Sequence, residues 1–233
     1  MNRRQFTKQF ALGLAVSAAS TRFAAAAAKE GFKFKFIVGS SMYGELPLGE
    51  ILPEVRKTGA EHLDVWPRKH GNQREQMEEM GHEKFADMLK KHRVKLGCLT
   101  HYDLGPFGLG KEMPVAKKFG CPVMVCGGKG SKKLKGADLK AAVKTFAEQM
   151  KPHLELAERH GVTIAIENHG SNLINSPDSL KWLIDLRPSG NLKIALAPYH
   201  LETGGVDAKG FGALIGQLGN NVAIYYAWQH GMG

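Results

Sequence analysis

Beyond residue 29 the apolar positions repeatedly change period. Short runs rich in β-branched and aromatic residues alternate with longer stretches whose apolar residues recur every three or four positions. The short runs predict strands at 34–40, 62–66, 95–101, 123–126, 163–167, 193–197 and 222–228, each bounded by Gly, Pro or charged residues. The longer stretches predict helices over 48–58, 74–92, 113–119, 137–160, 177–186 and 208–218. Phe146, Met150, Leu154 and Ala157 follow one another at steps of four, four and three, which places them on one helix face. Ser176 followed by Pro177 makes a favourable helix start. Gly59, Gly120 and Gly161 stand where a helix end favours a left-handed residue.

Strands that alternate with helices imply parallel pairing through right-handed crossovers, with the helices covering the sheet. Two architectures satisfy that pattern. A doubly wound sheet usually carries a Gly-rich dinucleotide loop after an early strand, and residues 39–44, GSSMYG, have neither that spacing nor a Walker spacing. A (β/α)8 barrel instead gathers reactive residues at the C-terminal ends of many strands. Those ends here hold Trp66, His101, Lys129, Glu167–Asn168–His169, Tyr199–His200 and Trp228–Gln229–His230. Of ten histidines in the chain, four (His101, His169, His200 and His230) fall on this one rim, so a (β/α)8 barrel with its site there is expected.

The stretch Thr163–Ile164–Ala165–Ile166–Glu167–Asn168–His169 resembles the fifth-strand motif of the xylose-isomerase-like barrel superfamily, which includes sugar epimerases, inosose dehydratases and endonuclease-IV-like enzymes. The resemblance runs from about Phe32 to the end. It implies that Glu167 binds a divalent metal and acts as an acid/base carboxylate. The sixth strand of the family commonly ends Asp-x-x-His, and the matching residues are Ala197–Pro198–Tyr199–His200, so the metal Asp is replaced by Ala197. The family's seventh-strand His is displaced to His230, and no eighth strand with a second Glu precedes Gly233. Glu167, His200 and His230 remain as a candidate set for one divalent ion, Mn, Zn or Mg. Glu167 and His200 are the candidate catalytic pair, and Trp66, His101, His169, Trp228 and His230 the candidate substrate contacts.

The formal charge of +10 first suggests a nucleic-acid partner. Four of those charges, Arg3, Arg4, Lys8 and Arg22, lie in the first 28 residues with no acid beside them, and the rest of the chain carries +6. The lysines at 129, 132, 133 and 135 have no aromatic residues interleaved for base stacking, so no nucleic-acid partner is expected. Residues 1–28 read as a leader: a basic start, an apolar stretch too short to span a membrane, then small residues. Arg3–Arg4–Gln5–Phe6–Thr7–Lys8 is similar to a twin-arginine signal, which implies the twin-arginine export machinery as a partner and a periplasmic or exported location. Residues 32–233 then form the barrel domain. Removing the leader leaves 205 residues, room for seven strands, and the expectation is a barrel truncated after strand seven. The resulting gap makes a homo-oligomer a candidate state. The odd count of cysteines, Cys98, Cys121 and Cys126, excludes a fully paired disulfide framework and favours buried thiols.

The expected function is a sugar isomerase- or epimerase-like enzyme, or a sugar lyase, acting on a keto-sugar, polyol or glycoside-derived substrate by carboxylate-assisted proton transfer. A degenerate carbohydrate-binding barrel is the alternative, motivated by Ala197. A DNA-repair endonuclease relative is weaker, since its trinuclear site needs more His and acid ligands than stand here.

Overall fold

The structure is a computed structural model that describes residues Phe34 to Ala227. The leader expected at residues 1–28, and Trp228 and His230, lie outside the described residues. Seven strands form one parallel sheet in sequential order: β1 (Ile37–Gly39), β2 (His62–Val65), β3 (Lys95–Thr100), β4 (Val123–Gly127), β5 (Thr163–Glu167), β6 (Leu192–Leu196) and β7 (Val222–Tyr225). The sheet curls, as in a (β/α)8 barrel followed through its seventh strand.

The α-helices are α1 (Leu48–Lys57), α2 (Gln73–Met80), α3 (His82–His92), α4 (Gly105–Gly108), α5 (Met113–Lys118), α6 (Gly136–Gln149), α7 (Lys151–His160), α8 (Pro177–Leu186), α9 (Pro198–Glu202) and α10 (Ala208–Leu218). Two helices expected as continuous are each broken once. The 74–92 stretch divides at Gly81, whose φ of 83° no helix accommodates. The 137–160 stretch divides at Met150, because Pro152 has no amide proton and suits only a first turn. The capping expectation at α8 holds: the Ser176 side chain accepts from Ser179 N in a reciprocal capping box. Gly161 closes α7 at φ 67°.

Alternation along the strands sorts side chains into two layers. Ile164, Ile166, Met124, Cys126, Ile194 and Leu196 face the helices and join the large core with Phe146, Met150, Leu154 and Ala157. Cys98, Val125, Ala165 and Ala195 face the barrel lumen and form a separate small cluster with Ala223, Ile224 and Tyr226 around it. Small residues suit the narrow interior, because large ones from several strands would collide there. The β2–β3 register slips between Leu63 and Asp64, and Gly97 is the residue passed over. A Cβ at Gly97 would stand 2.7 Å from His62 Cβ, so only glycine lets these strands close up. The slip brings Asp64 opposite Cys98. The three cysteines are free and buried, as expected. Burial pushes the Cys121 thiol up to about 12 and raises the other two well above the ordinary thiol value, so none is a thiolate at neutral pH.

Candidate active site

Glu167 is the last residue of β5 and continues the inward row of Ala165, so its carboxyl sits at the top of the lumen. It is 6% exposed, and its Oε2 makes no hydrogen bond among the described residues. Burial, then the nearby Asp64 carboxyl, push its pKa up to about 8. Its Oε1 lies 3.8 Å from His200 Nε2, too far for a direct hydrogen bond.

The next two residues of the motif hold the surroundings in place. Asn168 is fully buried and donates from Nδ2 to the Ala197 carbonyl at 2.8 Å, while its Oδ1 accepts from Ala197 N at 2.8 Å. This pair of bonds locks the end of β5 to the end of β6. His169 Nδ1 accepts from Ser171 N at 3.2 Å and approaches Ser171 Oγ at 2.7 Å. A backbone amide can only donate, so the neutral ring carries its proton on Nε2. The His169 and His200 rings lie 4.0 Å apart between centroids. Burial, then the neighbouring His169, hold His200 down at about 4, so it is a neutral imidazole at physiological pH.

Asp64 is a buried lumen acid that residue-type counting passes over. It stands alone as an acid in the run His62–Leu63–Asp64–Val65–Trp66, and period-two alternation puts it on the same face as Trp66. That lone acid was the available signal. Asp64 is 5% exposed; Thr100 Oγ1 lies 2.9 and 2.8 Å from its two oxygens, and Trp66 Nε1 donates to Oδ2 at 2.7 Å. Burial raises its pKa to about 7 against these hydrogen bonds. The Tyr226 hydroxyl is buried near both carboxyls, and burial and their charges push its pKa far up. Two carboxyls, a phenol and a threonine thus share the lumen.

The expected residues separate in space. Glu167, His169 and His200 come together at the ends of β5 and β6. Trp66 stands at the end of β2, packed at 5.5 Å between centroids against both Tyr102 and His70. His101 turns to the rim: its Nδ1 is 3.1 Å from Asp103 Oδ1 and its Nε2 3.7 Å from Glu112 Oε2. There it lines a different cavity, of about 490 Å³, with Arg74, Glu112 and Pro67. Lys129 Nζ lies 5.7 Å over the Phe107 ring.

A metal at this site would draw on Glu167 and His200, with position 197 supplying the charged ligand. Ala197 ends in a methyl group, and both of its backbone polar atoms are already bonded to Asn168. Among the described residues no group of three His, Cys, Asp or Glu side chains stands close enough to hold a metal ion. Glu167 and His200 are one carboxylate and one imidazole of the three-ligand set expected for a catalytic zinc, and the third member, His230, lies outside the described residues.

The sequence model of a family described as xylose isomerase-like TIM barrel matches residues 52–227. No curated protein sequence matches the chain. Among solved structures, the probable 3-DHS dehydratase AsbF of Bacillus anthracis superposes with a TM-score of 0.66 at 17% identity, covering 82% of this chain and 72% of that one. The IOLI protein, solved with a binding zinc atom, gives 0.65 at 17% over the same shares. The 3-keto-D-glucoside 4-epimerase YcjR of E. coli gives 0.61 at 13%, covering 83% and 78%. At these identities the likeness is one of fold.

Proposed function

Since the chain belongs to the xylose isomerase-like TIM barrel family, we propose that it is a sugar isomerase or epimerase that moves a proton beside the carbonyl of a keto-sugar or keto-glycoside. The observation that carries this reading is the buried Glu167 carboxyl, with one oxygen left without a hydrogen bond and a pKa of about 8. A general acid/base works best when its pKa lies near the working pH, because it must both take and return the proton. Glu167 Oε2 takes the proton from the carbon next to the carbonyl; the C–H electrons move into the new C=C bond and the carbonyl π electrons onto oxygen, giving an enediolate. Return of a proton from a second acid on the opposite face inverts the carbon; return by Glu167 to the neighbouring carbon, with the hydroxyl proton passing to the former carbonyl oxygen, moves the carbonyl. The growing charge on oxygen is met by the neutral N–H groups of His169 and His200, whose rings lie together beside Glu167. Solved relatives of this fold include a D-psicose 3-epimerase and a 3-keto-D-glucoside 4-epimerase, which supports the substrate class.

The test is a panel of keto-sugars and 3-keto-glucosides incubated in D2O and followed by proton NMR. Deuterium is expected to enter the carbon beside the carbonyl with wild-type protein, and Glu167→Gln is expected to stop it. Undiminished exchange in that variant overturns the assignment. A second reading, a barrel that binds carbohydrate without turning it over, is favoured by Ala197 at the position of a ligand in the resemblance. Saturable sugar binding with no deuterium entry supports it. Export by a twin-arginine route belongs to the same proposal: replacing Arg3 and Arg4 by Lys is expected to leave the protein in the cytoplasm, and undiminished export refutes that part.

A further inference from the structure

Trp66 is tied to the barrel at three points. Its amide donates to Ser40 Oγ at 3.0 Å, its carbonyl accepts from Arg74 N at 3.1 Å, and its indole Nε1 donates to Asp64 Oδ2 at 2.7 Å. The first two bonds fix the backbone; the third fixes the ring. Asp64 is in turn immobilised by Thr100 and is 95% buried, so the acceptor cannot follow a moving indole. Tyr102, 5.5 Å away and tilted by 43°, supports the ring from the side. Trp66 follows β2 and Glu167 ends β5, with β3 and β4 between those two strands in the sheet.

We propose that Asp64 is a positioning residue that clamps the Trp66 indole as a preformed aromatic wall, against which the C–H face of a ring-closed pyranoside packs while its keto carbon faces Glu167. The inference rests on the sugar reading above. An indole with free rotamers must be ordered when a ligand arrives, whereas a clamped one has that cost already met by folding. An open-chain ketose offers no flat C–H face and gains little from the wall. Asp64 therefore biases the site toward rings without touching the substrate itself.

Trp66→Phe keeps an aromatic ring, removes the N–H, and leaves the Asp64 carboxyl in place beside Glu167. With methyl 3-oxo-glucopyranoside as the probe, this variant is expected to raise KM about tenfold, a change of about 1.4 kcal/mol, with kcat moving less. Asp64→Asn is expected to raise KM in the wild-type background and to add nothing further in Trp66→Phe, because the two residues act through one bond. Additive effects, or an unmoved KM in Trp66→Phe, overturn the clamp. An independent readout needs no substrate: the indole N–H signal absent from the Trp66→Phe spectrum identifies Trp66 in a 1H–15N map. That signal is expected to shift upfield in Asp64→Asn, and an unshifted signal overturns the clamp. If it shifts while neither the pyranoside nor D-fructose binds, the sugar reading fails, and with it the ligand assigned to the wall, but the clamp stands.

Discussion

The lumen and the rim both bury carboxyl groups, and they treat them oppositely. At the rim, Glu112 is 12% exposed and its Oε2 receives Arg74 Nε at 2.7 Å, with His101 3.7 Å away. Arg74 also reaches Glu78 at 2.9 Å, and these carboxylates hold its guanidinium above its ordinary value. In the lumen, Asp64 is held by the neutral donors Thr100 and Trp66, and Glu167 Oε1 faces a neutral imidazole at 3.8 Å. The two lumen pKa values rise to about 7 and about 8. A buried carboxylate with a cation is a structural tie, whereas one without a cation hovers between protonated and ionised forms near neutrality, the condition proton-transfer chemistry requires. That difference is why we propose chemistry for the lumen and fastening for the rim.

The sharpest way to break that division is to remove one carboxyl from each place. Glu167→Gln is expected to lower kcat by about 10²–10⁴-fold while leaving the melting temperature within a few degrees or raising it, measured by deuterium exchange and calorimetry. Glu112→Ala is expected to do the reverse. It strips Arg74 of its buried partner and leaves only Glu78, costing about 1–3 kcal/mol in urea unfolding with little change in kcat. A catalytic loss in Glu112→Ala as large as in Glu167→Gln would erase the distinction.

The pH dependence of stability sharpens it next. A buried acid whose pKa is raised holds its proton more tightly in the folded state. Its contribution is therefore complete below the unfolded pKa and lost as pH rises through the folded one. For Asp64 and Glu167 that loss runs from 3.8 and 4.5 up to about 7 and about 8. His200, lowered from 6.5 to about 4, works in the opposite sense and finishes gaining by pH 6.5. Between pH 6.5 and 8 the carboxyls act alone, so stability is expected to fall, by at most about 1.4 kcal/mol per pH unit for each group. Urea melts at half-unit steps check this, and Asp64→Asn is expected to flatten the lower part of the window. The smallest effect is expected at Lys129, where Lys129→Met removes an exposed cation over Phe107 and changes stability by less than about 1 kcal/mol, with exchange activity unaltered.

The strand order, the parallel pairing and the strand-end location of Glu167 and His200 were legible because alternating periods and inward or outward placement are written locally, residue by residue. The breaks at Gly81 and Met150 were legible in principle, from a glycine and from Pro152 inside helical runs, but a sustained apolar stripe on either side hides them. His101 is the expected contact that lines a different cavity. It ends a strand as the others do, yet its imidazole lies beside Asp103, two residues on, and near Glu112, whose proximity no spacing in the chain expresses.

The chain's order of residues by itself determined the barrel class and the inward row that ends in Glu167. Each follows from which residue stands at which phase of a repeating backbone. Only the tertiary structure decided what those residues are chemically. A one-residue slip at Gly97 sets Asp64 opposite Cys98, beside Thr100 and within the field of Glu167, and burial without a cation then shifts both carboxyls toward neutrality. Phase is a property of one strand, whereas a pKa and a clamped indole belong to several strands at once, because desolvation and hydrogen bonding depend on everything that closes around a group.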